Sequence, residues 1–393
     1  MRQGYAMSKH DKPKPKPRYA PALQRGLHEV SHQVEAMHRA IAGKTFGALK
    51  QVPVVAQPAA LIESIHDAVS AGVHAAVRLG NRGFFSIAGE AERALASDAP
   101  PGPRESGLRA AINGVFGDHL AAHGEALATP MQLFERGRHS AAVLDHLHIP
   151  QRRVCIFLHG LACDEHCWVP DADSGEPDYG ALVHADFGYT VLYLRYNSGL
   201  PIADNASAFA ELLQTLCAAQ PSLQEILLIG HSMGGLIARC ALWQGAGSPW
   251  LARTRMLICL GSPQLGSPLE RLGMVTNRLL DSFDVTAPIG AIARRRSAGI
   301  RDLHDGIGAD AGQDPPEVEL RFLGATIAED SDSALGKLVG DGLVTPDSAL
   351  AERPRANIAR AQLGGLGHMA MLHEARVWQQ VHTWIAEGFV PTA

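Results

Sequence analysis

The serine of the pentapeptide Gly-His-Ser-Met-Gly at 230–234 is the residue of this sequence whose setting most clearly suits chemistry. G-x-S-x-G alone is a weak pattern, because three fixed residues in five recur by chance in glycine-rich chains. Here the motif follows the apolar run EILLI and precedes the helical pattern MGGLIARCAL. That order is the strand–turn–helix setting of a nucleophile elbow, and no second G-x-S-x-G occurs in the sequence. The motif therefore predicts that Ser232 is a nucleophile.

The residues around the serine meet the steric and hydrogen-bonding requirements of such a turn. A tight turn strains the backbone of the serine and brings neighbouring chain close, so Gly230 and Gly234 are expected where a Cβ would not fit. His231 completes the supporting motif. The amide of Met233, which directly follows the serine, is expected to donate one of the two hydrogen bonds that a developing oxyanion requires.

The second oxyanion donor is expected in the loop after the first apolar run, RVCIFLHG at 153–160. This loop reads His159-Gly160-Leu161, and a glycine there allows the chain to turn. The amide of Leu161 is our candidate for the second donor. A strand that merely ends in His-Gly is the alternative, and the presence of the elbow elsewhere in the chain weakens it.

A serine hydroxyl is a poor nucleophile at neutral pH, so it needs a base and the base needs an orienting acid. Behind an elbow the chain order is serine, acid, histidine. Asp341 is the preferred acid because LVGDGLVTPDS places it in a glycine-flanked turn after a strand candidate, and Asp347 is the second choice. The other aspartates considered are Asp330 and Asp332 near the strand end, and Asp302, Asp305 and Asp310 in a presumed insertion.

Four histidines follow the elbow and could serve as the base: His304, His368, His373 and His382. GGLGHMAMLHEARVW places His368 in a glycine-rich loop between the last strand candidate and the final helix. Catalytic groups of such scaffolds sit on strand-end loops, so His368 is preferred over His373. His373 and His382 are expected on the final helix.

Apolar runs of buried-strand length alternate with helical patterns from residue 150 onward, which predicts an α/β fold with a mainly parallel sheet and helices on both faces. The strand candidates are 153–160, 189–197, 225–232, 255–262 and 319–326, with 356–363 as a weaker sixth. The helical patterns include 203–219 and 233–246.

The chain is expected to have three parts. Residues 1–23 read as a basic, proline-rich, disordered arm, and 24–128 as a helical N-terminal section broken by prolines. The catalytic domain is expected over 150–393, with a helical cap insertion at about 264–318 above the carboxyl edge of the sheet.

Composition excludes some classes of function and leaves others open. The 393 residues are 46% hydrophobic and carry 35 basic against 40 acidic side chains, so charge gives no case for nucleic acid binding. No apolar stretch has the length of a signal peptide or membrane span, which favours a cytoplasmic location.

Free thiols are expected for the six cysteines, although Cys163 and Cys167 beside His166 raise the alternatives of a disulfide or a metal pair.

Several motifs resemble the α/β-hydrolase superfamily and, within it, lipase-like serine esterases. They are HGL at 159–161, GHSMGG at 230–235, GSPQLGSPLERLG at 261–273, DGLV at 341–344 and GHM around residue 368. In such lipases the aspartate of D-G-x-V is the triad acid, which the resemblance assigns to Asp341. The stretch YNSGLPIADNASAFAELLQ and the N-terminal VEAMHRAI look like a bacterial subgroup related to GPI inositol-deacylases. Ser262 and Gln264 depart from the usual threonine and histidine of that loop.

The resemblance implies cleavage of a small-molecule or lipid carboxylic ester through Ser232, His368 and Asp341, with no cofactor or metal. Acyl transfer or thioester hydrolysis would use the same three residues, and a hydrolase-fold binding protein without turnover is a third hypothesis. The section at 24–128 could cover the site, contact a membrane peripherally or bind a partner, or stabilise the domain. Whether the substrate is long-chain or short-chain stays open.

Overall fold

A computed structural model describes residues 102–138, 140–268, 297–307, 312–331, 333–350 and 358–387. The predicted arm at 1–23 and the predicted helical section up to residue 101 lie outside the described residues. Of the predicted cap at 264–318, residues 269–296 and 308–311 also lie outside them.

Within the described ranges, seven strands form one sheet. They are β1 (Gln132–Glu135), β2 (Arg153–Leu158), β3 (Thr190–Arg195), β4 (Glu225–His231), β5 (Thr254–Leu260), β6 (Glu319–Ala325) and β7 (Ile358–Leu363). Their spatial order is β1-β3-β2-β4-β5-β6-β7, with β1 antiparallel to β3 and all other neighbours parallel. Strands β2 to β7 match the six predicted runs. Strand β1 was not predicted, because four residues are too few to show an alternating pattern.

Helices flank the sheet. They are α1 (Pro103–Ala122), α2 (Tyr179–Phe187), α3 (Ile202–Ala219), α4 (Met233–Gln244), α5 (Ala298–Asp305), α6 (Ala334–Val339), α7 (Pro346–Leu350) and α8 (Ala375–Glu387). Local sequence sets their ends: the Asp178 side chain caps α2, and Gly188, at φ 70°, ends it in a left-handed turn. None of the helices in the described part of the chain is both apolar and long enough to cross a bilayer.

The core lies in two layers, one on each face of the sheet, because side chains alternate along a strand. On β2, Val154 and Ile156 pack with α3 and α4, whereas Cys155 and Phe157 pack with α2 and α8. β2 is buried along its whole length. The predicted α/β fold, a mainly parallel sheet with helices on both faces, is confirmed by this arrangement.

One compact unit, which comprises Asp98–His119 and the chain from Thr129 onward, contains the whole sheet. Strand β1 belongs to this unit and extends the sheet through pairs such as Leu133 with Leu194. The domain bounds drawn from the sequence stay a prediction. The other unit comprises Met1–Ser97 and Leu120–Ala128.

All six cysteines are free thiols in the structure, and Cys155 and Cys259 are fully buried core residues, as expected from their apolar neighbours in the sequence.

Candidate active site

Ser232 lies in the sharp turn between the end of β4 and the start of α4. Its backbone has φ 52° and ψ −121°, a region that is costly for any residue with a Cβ. The Ser232 amide donates a hydrogen bond of 2.9 Å to the Leu260 carbonyl at the end of β5. The strand–turn–helix setting inferred from the motif is therefore present, and the strained serine is held from the neighbouring strand.

The two motif glycines are required by close backbone approaches. A Cβ on Gly230 would lie 2.4 Å from the amide nitrogen of Gly235, and a Cβ on Gly234 would lie 2.3 Å from the carbonyl oxygen of Leu158. Both neighbours are main-chain atoms, which cannot turn aside as a flexible side chain can. The turn that presents Ser232 therefore depends on both glycines.

Asp341 and His368 are joined by a buried contact. The His368 Nδ1 lies 2.7 Å from Asp341 Oδ2, while the other carboxylate oxygen accepts from the amides of Leu343 at 2.9 Å and Val344 at 2.7 Å. The His368 amide also donates to the Asp341 carbonyl at 2.9 Å. Because a carboxylate can only accept, the proton of the neutral ring is on Nδ1, which leaves the Nε2 lone pair free to take a proton.

His368 lies close to the residues that flank the elbow. Its ring centroid is 4.6 Å from that of His231, the residue before Ser232. A Cβ placed on Gly261, which follows Leu260, would lie 3.3 Å from His368 Cε1 and 3.2 Å from Asp341 Oδ2. No hydrogen bond joins the Ser232 hydroxyl to His368 or to any other described residue. In unliganded enzymes such bonds are often long and shorten only when substrate binds.

His231 supports the loop that carries His368. Its Nε2 lies 3.1 Å from the His368 carbonyl oxygen, so in the neutral ring this nitrogen is the donor. Burial lowers the pKa of His231 well below its usual value, and the nearby His368 lowers it further. A neutral His231 therefore fixes the main chain of His368 and adds no charge beside it.

The loop after β2 packs directly on the elbow. A Cβ on Gly160 would lie 3.2 Å from the Ser232 Cβ. The Gly160 carbonyl accepts from His159 Nδ1 at 2.8 Å and from the Cys163 amide at 3.4 Å. The N–H and C=O of a trans peptide point in opposite directions, so these bonds also set the direction of the Leu161 N–H.

Both predicted oxyanion donors have an unused N–H among the described residues. The Leu161 amide has no acceptor there, and the Met233 amide belongs to the first turn of α4, where helical amides have no acceptor within the helix.

The His159 ring stacks on Tyr196 with centroids 4.2 Å apart, and the Tyr196 hydroxyl donates to the His159 carbonyl at 2.7 Å. Burial lowers the pKa of His159, which keeps this support neutral.

A second support of the loop was missed by the sequence reasoning. Ala162 has φ 59°, and its amide donates to the buried Ser198 hydroxyl at 2.9 Å. Ser198 follows β3, in the turn Asn197-Ser198-Gly199. The available signal was a polar turn at the carboxyl end of a strand, which is where open α/β sheets place functional groups.

Helix α1 packs against this turn and against the oxyanion loop. The Asn197 amide group donates to the Gly117 carbonyl at 2.8 Å, and a Cβ on Gly114 would lie 2.6 Å from the Ala162 Cβ. Two glycines three residues apart thus let the helix approach both loops. Nothing in the sequence of the helix alone indicated this contact.

The alternative acids lie elsewhere. Asp330, Asp305 and Asp347 are exposed. Asp302 on α5 accepts from the Ile202 amide at 2.8 Å. Asp310 and Asp332 lie outside the described residues.

The other three candidate histidines have partners or positions different from those of His368. His304 Nδ1 is bonded to the Ser267 carbonyl at 3.0 Å, and His382 lies on α8 near Asp186. The prediction that His373 lies on the final helix is wrong. It lies in the turn before α8, because a 3₁₀ helix, Met369–Leu372, comes between His368 and that turn.

One group in the described part of the chain has metal-ligand types close together, Asp164, Glu165 and His166. Glu165 is paired with Arg195, whose Nε lies 2.6 Å from its carboxylate. His166 Nδ1 lies 3.2 Å from Asp164, whose hydrogen bond raises the pKa of the ring. Each of the two carboxylates therefore already contacts a neighbouring side chain, Asp164 that of His166 and Glu165 that of Arg195.

The comparisons with known proteins agree with the resemblance drawn from the motifs. Residues 204–284, which include the elbow, match the family described as PGAP1-like alpha/beta domain. No curated protein matches the chain. The matched region covers 81 of the 393 residues, from α3 past the elbow, and its description agrees with the α/β fold of the structure.

Solved structures similar to this chain include two lipase-type proteins. The mature form of lipase BlEst2 from Bacillus licheniformis is 17% identical with a TM-score of 0.42, covering 62% of this chain and 94% of its own. A lipase-esterase related protein from Clostridium acetobutylicum is 13% identical with a TM-score of 0.38, covering 66% of this chain and 99% of its own.

Proposed function

We propose that this protein is a serine hydrolase that cleaves carboxylic esters through an acyl-enzyme, with Ser232 as nucleophile, His368 as base and Asp341 as the orienting acid. The observation that carries the proposal is the buried Asp341–His368 pair beside a strained serine that follows the central strand β4. The positive φ of Ser232 is costly for a residue with a Cβ, and a nucleophile elbow requires this conformation.

In the proposed reaction the Ser232 hydroxyl attacks the acyl carbon while His368 Nε2 takes its proton. The tetrahedral intermediate collapses, the alcohol leaves with that proton from His368, and an acyl-serine remains. Water then attacks the acyl-serine with His368 again as base, and the acid and free serine are released. Asp341 keeps the ring in the required tautomer and stabilises the imidazolium that forms.

The amides of Leu161 and Met233 are assigned the role of stabilising the negative charge that develops on the carbonyl oxygen of the substrate. Two preorganised N–H donors in a buried setting are the usual means of stabilising such a charge. The bonds that hold the Gly160 carbonyl and the Ala162 amide support this assignment, because they fix both peptide planes that adjoin Leu161.

A series of p-nitrophenyl esters of increasing acyl length, with an added alcohol or amine acceptor, tests the reaction class. Ester hydrolysis predicts release of free acid that does not depend on the acceptor. Transfer of most acyl groups to the acceptor would assign an acyltransferase instead. Rates measured below and above the solubility limit of each ester would decide between long-chain and short-chain substrates.

Ser198→Ala is expected to lower kcat about ten-fold with little change in KM. The Ala162 amide would lose its acceptor, and the strained Ala162 would no longer hold the oxyanion loop; removal of a donor itself costs about 100-fold to 1,000-fold. Steady-state rates on a soluble p-nitrophenyl ester measure this. Ser207→Ala, an exposed serine on α3, is the matched control. An unchanged kcat in a folded Ser198→Ala protein would remove Ser198 from the positioning of the loop.

A further inference from the structure

A polar cavity of about 350 Å³ opens at the amino-terminal edge of the sheet. It is bounded by the first residues of β2, β4 and β5, whereas Ser232 follows the opposite end of β4. With about 3.3 Å per strand residue, the seven residues of β4 separate the cavity from Ser232 by roughly 20 Å. The volume suits a small ligand.

The lining of this cavity is rich in positive charge. Apart from Ala252, every lining residue is polar or charged. Four arginines face two glutamates, so two positive charges are left unbalanced. The charged lining residues are Arg152, Arg153, Arg253, Arg255, Glu225 and Glu317.

Glu225 offsets part of the positive charge of the inner cavity wall and holds the arginine side chains of that wall in position. Its carboxylate lies 3.3 Å from Arg255 Nη1 and 3.8 Å from Arg153 Nη2, and it also accepts from the Tyr189 hydroxyl. Arg255 Nη2 donates to the Ile385 carbonyl at 2.7 Å, which ties this wall to α8. These bonds hold the guanidinium groups of the inner wall in place without a ligand.

Two donors of the cavity are not used by the fold. Arg253 Nη1 and Arg255 Nε are buried and have no hydrogen-bond partner within the described ranges. Buried donors without an acceptor are rare in folded proteins, because their lost hydration is not replaced. No carboxylate of the described residues offsets these donors directly, so they add to the positive potential that an anion in the cavity would experience.

Arg152 lies at the outer rim in a strained conformation. Its φ is 55°, and its carbonyl accepts from the amides of Gln224 at 2.7 Å and Glu225 at 3.3 Å. The main chain of Arg152 is therefore fixed while its side chain stays exposed. A fixed rim with an exposed guanidinium is suited to receive an anion from solvent.

We propose that this cavity binds a small, soluble phosphate-bearing anion, with Arg253 and Arg152 as the principal contacts. The planar guanidinium group presents paired donors that match phosphate oxygens, and such charge-assisted bonds are stronger than neutral ones. Nine of the ten lining residues are polar or charged, which favours a soluble phosphate compound over the acyl part of a lipid. The site does not involve Ser232 and does not depend on the proposed esterase reaction.

Calorimetric titration of the full-length protein with inorganic phosphate and with glycerol phosphate, at constant ionic strength, tests this proposal. One saturable site is expected, and Arg253→Gln or Arg152→Gln should weaken it about ten-fold or more. Arg138→Gln, an exposed arginine outside the cavity, is the matched control and should bind as the wild type does. Ser232→Ala should also bind normally, which separates this site from the esterase proposal.

Three results would overturn the proposal: no saturable binding to the wild type, unchanged affinity in both folded cavity variants, or equal displacement by chloride. Because Arg152 is exposed, Arg152→Gln keeps the test decisive even if Arg253→Gln fails to fold. Co-sedimentation with phosphatidylcholine vesicles that contain phosphatidic acid tests a lipid headgroup as the source. Strong vesicle binding without binding of either soluble phosphate would contradict the soluble ligand.

Discussion

Ser232→Ala is expected to reduce kcat/KM for ester hydrolysis by on the order of 10⁵-fold or more, while the fold is retained. The alanine cannot form an acyl-enzyme, and only the oxyanion donors and substrate binding would remain. Initial rates on a soluble p-nitrophenyl ester at neutral pH measure the effect. The change removes a hydroxyl that makes no hydrogen bond to a described residue, so stability should change little.

Ser262→Ala is the matched control for this variant. Ser262 is also a fully buried serine at the carboxyl edge of the sheet, and its hydroxyl has no partner among the described residues. Its replacement should leave kcat/KM within a few-fold of the wild type. Loss of activity in Ser262→Ala together with retained activity in Ser232→Ala would contradict the proposed nucleophile.

Asp341→Asn is expected to lower kcat about 10⁴-fold. The asparagine oxygen can still accept from the amides of Leu343 and Val344, so the turn should persist. The amide nitrogen would then face His368 Nδ1, where a donor favours the tautomer with its proton on Nε2. That ring cannot take the proton of Ser232, and the imidazolium loses its stabilising charge. Single-turnover and steady-state rates on the same ester measure the loss.

Asp347→Asn supplies the control for the acid and tests the alternative that the sequence left open. Asp347 is exposed on α7, outside the contact with His368, and its variant should hydrolyse esters at the wild-type rate. A large loss in Asp347→Asn and a small one in Asp341→Asn would reverse the assignment. Circular dichroism spectra of both variants would show whether either change unfolds the chain.

The sheet could be predicted from sequence because its parallel strands are buried on both faces. Such strands read as continuous apolar runs, as in β2 and β4, and each is bounded by turn residues. The turn at Ser232 was predictable for a related reason: the glycines that it requires are visible in the sequence itself. Asp341 was chosen from its glycine-flanked turn, and the structure brings it into contact with His368.

The remaining features depend on contacts that sequence order does not reveal. β1 is recognisable as a strand only through its pairing with β3, about sixty residues later. The role suggested for Ser198 rests on its bond to Ala162, and the approach of α1 rests on glycines that in a helix pattern look merely unfavourable. His373 was misplaced because the four-residue apolar run Met369–Leu372 is too short for its sequence to distinguish a 3₁₀ helix from the first turn of an α-helix. The cavity at the opposite edge combines residues from several strands and loops.

The most direct test of the central claim is intact-protein mass spectrometry after reaction with a fluorophosphonate, followed by peptide mapping. The proposal predicts one adduct per chain, located on Ser232, none on Ser232→Ala, and much slower formation on Asp341→Asn. Absence of an adduct on the folded wild-type protein, or an adduct that persists at equal rate in Ser232→Ala, would contradict Ser232 as the activated nucleophile.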